Sequence, residues 1–256
     1  MKVKVKMSEF FLELFSEEIP SNLQSNAREE LKQIFIKFLG DNEVVIKGKV
    51  NSFSTPNRLV IYIDKIPKEI QKKSIEIKGP NVNAPDAALK GFLKSNNINE
   101  NQIFKKTNEK GEFFFFEKPS EKIRTFDLFR DNIKSLLVKI PWKKSMRWAN
   151  HNLYWGRPLK SILTVFDKEV LVFNLDHLQS SNKTFTDKNL EENIKKFFDF
   201  RSYEKFFKKN DIILNHQLRK DFIRKEINKV EKNKKIKVNL SEKLLDEVTN
   251  IVEKPK

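Results

Sequence analysis

The sequence predicts an α+β fold. Strand-like and helix-like stretches follow one another without the clean period of βαβ units, the N-terminal half mixes both, and the last third is mostly helical. Residues 9–15 form a short apolar run that reads as a strand. Pro20-Ser21 opens a helix with Leu23, Ala27, Leu31, Ile34, Phe35, Phe38 and Leu39 on one face, and Gly40 is placed to stop it as a C′ glycine. Residues 44–53 and 59–66 read as strands joined through Thr55-Pro56-Asn57 as a hairpin. Lys78-Gly79-Pro80 and residues 81–85 make a turn-rich loop, with Pro85 near the start of a short helix that Asn96-Asn97 ends. Phe113 to Phe116 reads as a strand buried on both faces.

Thr125 is a candidate N-cap for a helix carrying Phe129, Ile133, Leu136, Leu137 and Ile140, which Pro141 ends. Residues 157–166 look helical and 170–175 strand-like. Further on, Leu218, Phe222, Ile223, Ile227 and Val230 share a helix face. Asn239 and Glu242 resemble a capping box ahead of Leu244, Leu245, Val248, Ile251 and Val252. The Lys-rich stretch 229–237 is a solvated helix end or loop rather than a binding arm.

Composition narrows the chemistry. The chain has 256 residues and no Cys, which excludes disulfides, thiolate metal sites and cysteine catalysis. Its three histidines, His151, His177 and His216, argue against a His-rich metal centre, and no metal site is expected. No apolar run approaches the roughly 18–20 residues of a membrane span, and the first six residues lack a signal-peptide core, so a soluble, cytoplasmic protein is expected. The net charge of +16 rests on 42 Lys against 9 Arg, alongside 25 Asn. That is the signature of an AT-rich coding sequence, so bulk charge alone does not require an anionic partner.

Catalytic signatures are missing: no Gly-x-Gly-x-x-Gly, P-loop, His-Glu-x-x-His or Gly-x-Ser-x-Gly occurs, and six Gly cannot supply a glycine-rich phosphate cradle. Glu17-Glu18 suits a helix dipole better than acid/base work. One segment stands apart. From residue 132 to 166 there is no acid, while Lys134, Lys139, Lys143, Lys144, Arg147, Arg157 and Lys160 are basic and all three Trp (Trp142, Trp148, Trp155) fall inside it. Cations beside aromatic rings suit a surface that neutralises phosphates and stacks bases. The same rings also suit core anchors with lysine stems lying over them.

The order of short motifs resembles the N-terminal portion of the bacterial glycyl-tRNA synthetase beta subunit. The matching pieces are Phe10-Phe-Leu-Glu-Leu-Phe-Ser-Glu-Glu-Ile-Pro20, Phe53-Ser-Thr-Pro-Asn-Arg-Leu59, Lys78-Gly-Pro80 and Ala88-Leu-Lys-Gly-Phe92. Ile140-Pro-Trp-Lys-Lys-Ser-Met-Arg-Trp148, Arg157-Pro158 and Leu244-Leu-Asp-Glu-Val-Thr-Asn-Ile-Val-Glu253 follow in the same order. Three departures stand out: Phe15 where the family usually has Gly, Asn57 where it has Arg, and Asn182-Lys-Thr-Phe185 where Gly-His-Arg-Phe is expected.

The resemblance implies a tRNA-binding chain that assembles with an alpha subunit in a hetero-oligomer. Alpha then supplies the catalytic site and uses ATP and Mg, so that no cofactor and no catalytic residue belongs to this chain. Its expected parts are residues 1–6 outside the match, an α+β domain over 7–140 and a second α+β domain over 141–256, cut short at its C-terminal end. The RNA-contact candidates are Arg58, Lys143, Lys144, Arg147 and Arg157, with Trp148 as a stacking residue. For Arg147 and Arg157 the alternative is an internal salt bridge that fixes the fold. The competing functions are a stand-alone RNA-binding module and a scaffold for alpha that binds no RNA.

Overall fold

The structure, a computed structural model, describes residues 5–109, 111–186 and 194–255, so most of the expected 1–6 extension lies outside the described residues. In chain order the elements are strand β1 (Met7–Ser16), helix α1 (Ser21–Asp41), and strands β2 (Val50–Thr55), β3 (Arg58–Pro67), β4 (Glu69–Lys72) and β5 (Ile75–Asn81). Helix α2 (Asp86–Asn96), strands β6 (Ile103–Asn108), β7 (Gly111–Lys118) and β8 (Glu121–Arg124), and helix α3 (Thr125–Leu137) follow. Strands β9 (Leu159–Phe166), β10 (Glu169–Val170), β11 (Asn174–Leu175), β12 (Leu178–Gln179), β13 (Lys183–Thr184) and β14 (Lys195–Lys196) and helices α4 (Phe200–Lys209), α5 (His216–Lys234) and α6 (Glu242–Ile251) follow in the α+β fold.

The chain divides into two compact units, one of residues up to 68 with those from 124 on, the other of residues 69–123. The expected boundary near residue 140 therefore gives way to an insertion. β9, which lies beyond that boundary, pairs antiparallel with β1, so both sides of it build one sheet.

In the larger unit the sheet order is β10-β9-β1-β3-β2. β1 sits at its centre and is covered on both faces, which is why its apolar run shows no alternation. On one face Phe10 stacks on Phe35 of α1 and Phe129 of α3, at centroid distances of 5.6 and 4.3 Å. On the other, Phe11, Leu163 and Val165 pack with Phe200, Tyr203 and Phe207 of α4. Each such side chain removed from water stabilises the fold by about 1.5–3 kcal/mol before the cost of ordering it.

Several elements differ from their sequence-based expectation. The stretch expected to be helical from 157 is instead β9, whose Ile162, Thr164 and Val165 are β-branched and whose both faces are buried. A short apolar run of that kind has no periodicity that separates strand from helix. Gly40 does not end α1: the helix runs to Asp41 and the left-handed residue is Glu43. Thr125 is not the N-cap of α3 but its first residue, with its hydroxyl donating to the Pro67 carbonyl at 2.6 Å. Ser241, not Asn239, caps α6 by accepting from the Leu244 amide. The hairpin through Pro56-Asn57 forms as expected.

The smaller unit pairs β4 with β8 and builds a sheet in the order β5-β7-β6. Lys78-Gly79-Pro80 lies within β5, at a break in its register with β7, rather than in a loop. A Cβ at Gly79 would fall 2.9 Å from the Phe92 ring, so glycine there lets α2 lie on the strand. α2 begins after Pro85 and ends at left-handed Asn97, as expected. Phe113, Phe114 and Phe115 are only half-buried and Phe116 alone of the four is buried, because a three-stranded sheet with one short helix cannot enclose both faces.

Candidate nucleic-acid interface

The acid-free segment folds into the end of α3, an irregular loop and the whole of β9. Its middle is held by a two-ended bridge in which Met146 and Trp155 exchange backbone hydrogen bonds at 2.8 and 3.1 Å. Trp155 is buried in the core, and Trp142 packs on it with ring centroids 5.2 Å apart. Gly156 makes that packing possible, since a Cβ there would lie 2.4 Å from the Trp142 ring. The Asn26 side chain reaches the Pro141 carbonyl and ties the loop to α1.

On this frame Lys143, Lys144 and Arg147 stand exposed, and among the described residues none of them has an ion-pair partner. Trp148 is half-buried. Arg157 is half-buried too, and its guanidinium donates to the neighbouring Gly156 carbonyl at 3.2 Å rather than to an acid. Lys160 differs from the rest, because its ammonium is engaged by Glu17 at 2.6 Å. The loop thus presents three free cations and, in the same short stretch, a half-buried indole, while Trp142 and Trp155 pack together as anchors.

Arg58 requires a correction. Its side chain is fully enclosed, so it offers no surface to RNA. The guanidinium Nε lies 3.2 Å from a carboxylate oxygen of buried Glu13, one Nη donates to Glu253, and the other donates to the Phe185 carbonyl. Its face is sandwiched between the Phe15 and Phe207 rings, each centroid 4.7 Å away. Glu13 also accepts hydrogen bonds from Thr184 and from the Tyr203 hydroxyl, the latter at 2.5 Å, while Glu253 accepts from Thr55 at 2.6 Å. Burial raises the Glu13 carboxyl above its usual range despite Arg58, and burial with the nearby Glu13 pushes the Tyr203 phenol well above its own. Burial works against the charge on Arg58 as well, but Glu253 and Glu13 outweigh it and hold the guanidinium charged.

The network has a visible cue in the sequence. A glutamate in the middle of Phe-Phe-Leu-Glu-Leu-Phe must be buried if the strand is, and a buried carboxylate needs a cation or a proton. Arg219 is a second enclosed cation. It donates to the carbonyls of Thr249, Ile213, Leu214 and Ser54, tying α5 to α6 and β2, and burial pulls its pKa down to about 10. The histidines also depart from expectation. His151 and His177, two of the three histidines taken to argue against a metal centre, stack at 3.6 Å beside Asp176, with the Trp148 ring 6.4 and 5.9 Å away.

An antiparallel α+β scaffold, locked from within by arginine and presenting a basic, tryptophan-bearing loop, is the type of protein defined so far. Residues 10–256 match the family model of the glycyl-tRNA synthetase beta subunit. Relatives include the glycine–tRNA ligase beta subunits of Rickettsia bellii, 34% identical over 249 residues, and Rickettsia felis, 34% identical over 251 residues; each alignment covers 97% of this chain and 38% of the relative. The Rickettsia prowazekii beta subunit is 32% identical over 249 residues, again 97% of this chain and 37% of its own length. The chain belongs to the glycyl-tRNA synthetase beta subunit family, and it spans less than two-fifths of the length of these relatives.

Three of the family-like motifs converge on Arg58. Glu13 comes from the first motif, Thr55 and Arg58 from the second and Glu253 from the last. Two of the departures sit there as well: Phe15 forms one wall of the guanidinium sandwich, and Thr184 and Phe185 each supply a hydrogen bond to the network. Among the described residues no helix is long and apolar enough to cross a membrane.

Proposed function

We propose that this chain is the part of a glycine–tRNA ligase beta subunit that binds tRNA(Gly) and docks on the catalytic alpha subunit during cytoplasmic translation. Alpha, in a hetero-oligomer with beta, uses ATP and Mg to make and transfer the glycyl group. The work of this chain is positional: binding energy spent on the RNA becomes proximity of the 3′ end to an active site supplied in trans. The observation that carries the RNA half of the proposal is the loop with exposed Lys143, Lys144 and Arg147 beside half-open Trp148. Arg147 can bridge a phosphate bidentately, the lysines act as point charges, and Trp148 offers a face to a base. Arg157 is the flanking candidate.

The test is binding of tRNA(Gly) to the chain and to its Lys143→Ala/Lys144→Ala/Arg147→Ala variant over a salt series. A contact role predicts weaker binding and a log K against log salt slope shallower by about one for each phosphate no longer neutralised. Unchanged affinity and slope in a folded variant would remove these residues from the interface. Equal affinity for unrelated RNAs points instead to a general RNA-binding module. A stable complex with alpha but no RNA binding points to a scaffold.

A further inference from the structure

We propose that His151, Asp176 and His177 form a binding site for one divalent transition-metal ion. The three come from two loops of the larger unit: His151 follows Trp148 in the basic segment, and Asp176-His177 form the turn between the paired residues Leu175 and Leu178. Asp176 holds a left-handed backbone at φ 53°, which aims its carboxylate at the facing loop, and the Asn152 amide points at its other oxygen from 3.5 Å. One oxygen of Asp176, Oδ2, lies 3.0 Å from His177 Nδ1 and 3.6 Å from His151 Nδ1. All three ligand atoms fall within 4.8 Å of one another.

A hydrogen bond accounts for only half of this arrangement. At 3.0 Å the His177–Asp176 contact is a good one, but 3.6 Å is too long for His151 to share the same oxygen. Stacked at an interplanar angle of 17°, the imidazoles bring both Nδ1 atoms toward one carboxylate oxygen, and only that of His177 is within hydrogen-bond distance of it. A dication serves all three. In tetrahedral coordination at about 2.0–2.1 Å, ligand atoms stand about 3.3–3.4 Å apart, between the two separations present here. Only partly exposed side chains need to move, since they retain 33%, 22% and 26% of their accessible surface.

Two imidazoles, one carboxylate and no thiolate select a borderline ion such as Zn²⁺, Co²⁺ or Ni²⁺ over Ca²⁺ or Mg²⁺. The three ligands leave the fourth position to water or to an oxygen of a bound anion. The ion would clip the loop carrying Lys143, Lys144, Arg147 and Trp148 to the 175–178 turn. This inference is independent of whether that loop contacts RNA.

The experiment uses the whole 256-residue chain. Zn²⁺ is titrated by calorimetry and Co²⁺ by visible absorption, against His151→Ala, His177→Ala, Asp176→Asn and the double His variant, with circular dichroism and melting confirming that each is folded. One ion per chain is expected, with the intense d–d bands of four-coordinate Co²⁺ and a loss of affinity of at least about tenfold for each single variant. Co²⁺ should also quench a tryptophan signal that Trp148→Phe removes. Zn²⁺ binding no tighter to the wild type than to the double variant overturns the site, as does octahedral Co²⁺ with no change in Trp148 emission.

Discussion

Arg58 and Arg219 are enclosed and spend their donors on acids and carbonyls inside the fold, whereas Lys143, Lys144 and Arg147 stand in solvent and, among the described residues, have no ion-pair partner. By formal charge these cations are alike. Their energetics are opposite: an enclosed guanidinium that loses its partners leaves buried charge behind, while a surface lysine exchanges one hydrated state for another. A net charge of +16 therefore says little until each cation has been assigned to one population or the other.

The sharpest way to break this comparison is Arg58→Met. It strands Glu13 and Glu253 without their cation, and a loss of about 3–5 kcal/mol in urea unfolding is expected. Adding Glu13→Gln to that variant should recover part of the loss. Gly156→Ala comes next, at about 1–3 kcal/mol, because the new methyl displaces Trp142 from Trp155. Its near-UV circular dichroism should change while the far-UV spectrum stays put.

Glu13→Gln alone sharpens the contrast through pH. The folded-state pKa of Glu13 is raised above the usual 4.5, so between 4.5 and that raised value the native state holds more proton than the unfolded one. The contribution of Glu13 to stability is therefore present below that window and is lost as pH rises through it. Wild type should gain on the Gln variant as pH falls toward about 4.5. A stability difference that does not vary between about pH 4 and 8 would sink the assignment. Smallest of all, the Lys143, Lys144 and Arg147 triple alanine variant should melt within about 0.5 kcal/mol of the wild type. Only its RNA binding should move.

How much of the molecule is legible in its sequence follows the range of the forces involved. The face of α1, the β2–β3 hairpin, the proline start and asparagine end of α2, and the anchoring role of Trp155 depend on neighbours a few residues away or on size and polarity alone. β9 reads as a helix because a strand buried on both faces shows no alternation, and only pairing with β1 distinguishes the two. Arg58 reads as a surface cation because local spacing does not reveal a partner as distant as Glu253, although Glu13 within an apolar strand is a usable warning. His151 and Asp176-His177 lie about 25 residues apart in the chain, and only the folded structure brings them together.

By itself, then, the sequence determined the α+β class, the buried faces of α1 and α3, the absence of thiol chemistry and, through collinear motifs, the glycyl-tRNA synthetase beta subunit family, while Leu218, Val230, Leu244 and Ile251 of the expected α5 and α6 faces are exposed. The tertiary structure decided that residues 69–123 form a separate unit, that 159–166 is a strand, which cations are interior and which are free, and that two histidines meet one aspartate. Helix and turn preferences are properties of adjacent residues. Strand pairing, burial and ion partnership belong to residues brought together only when the whole chain has closed around them.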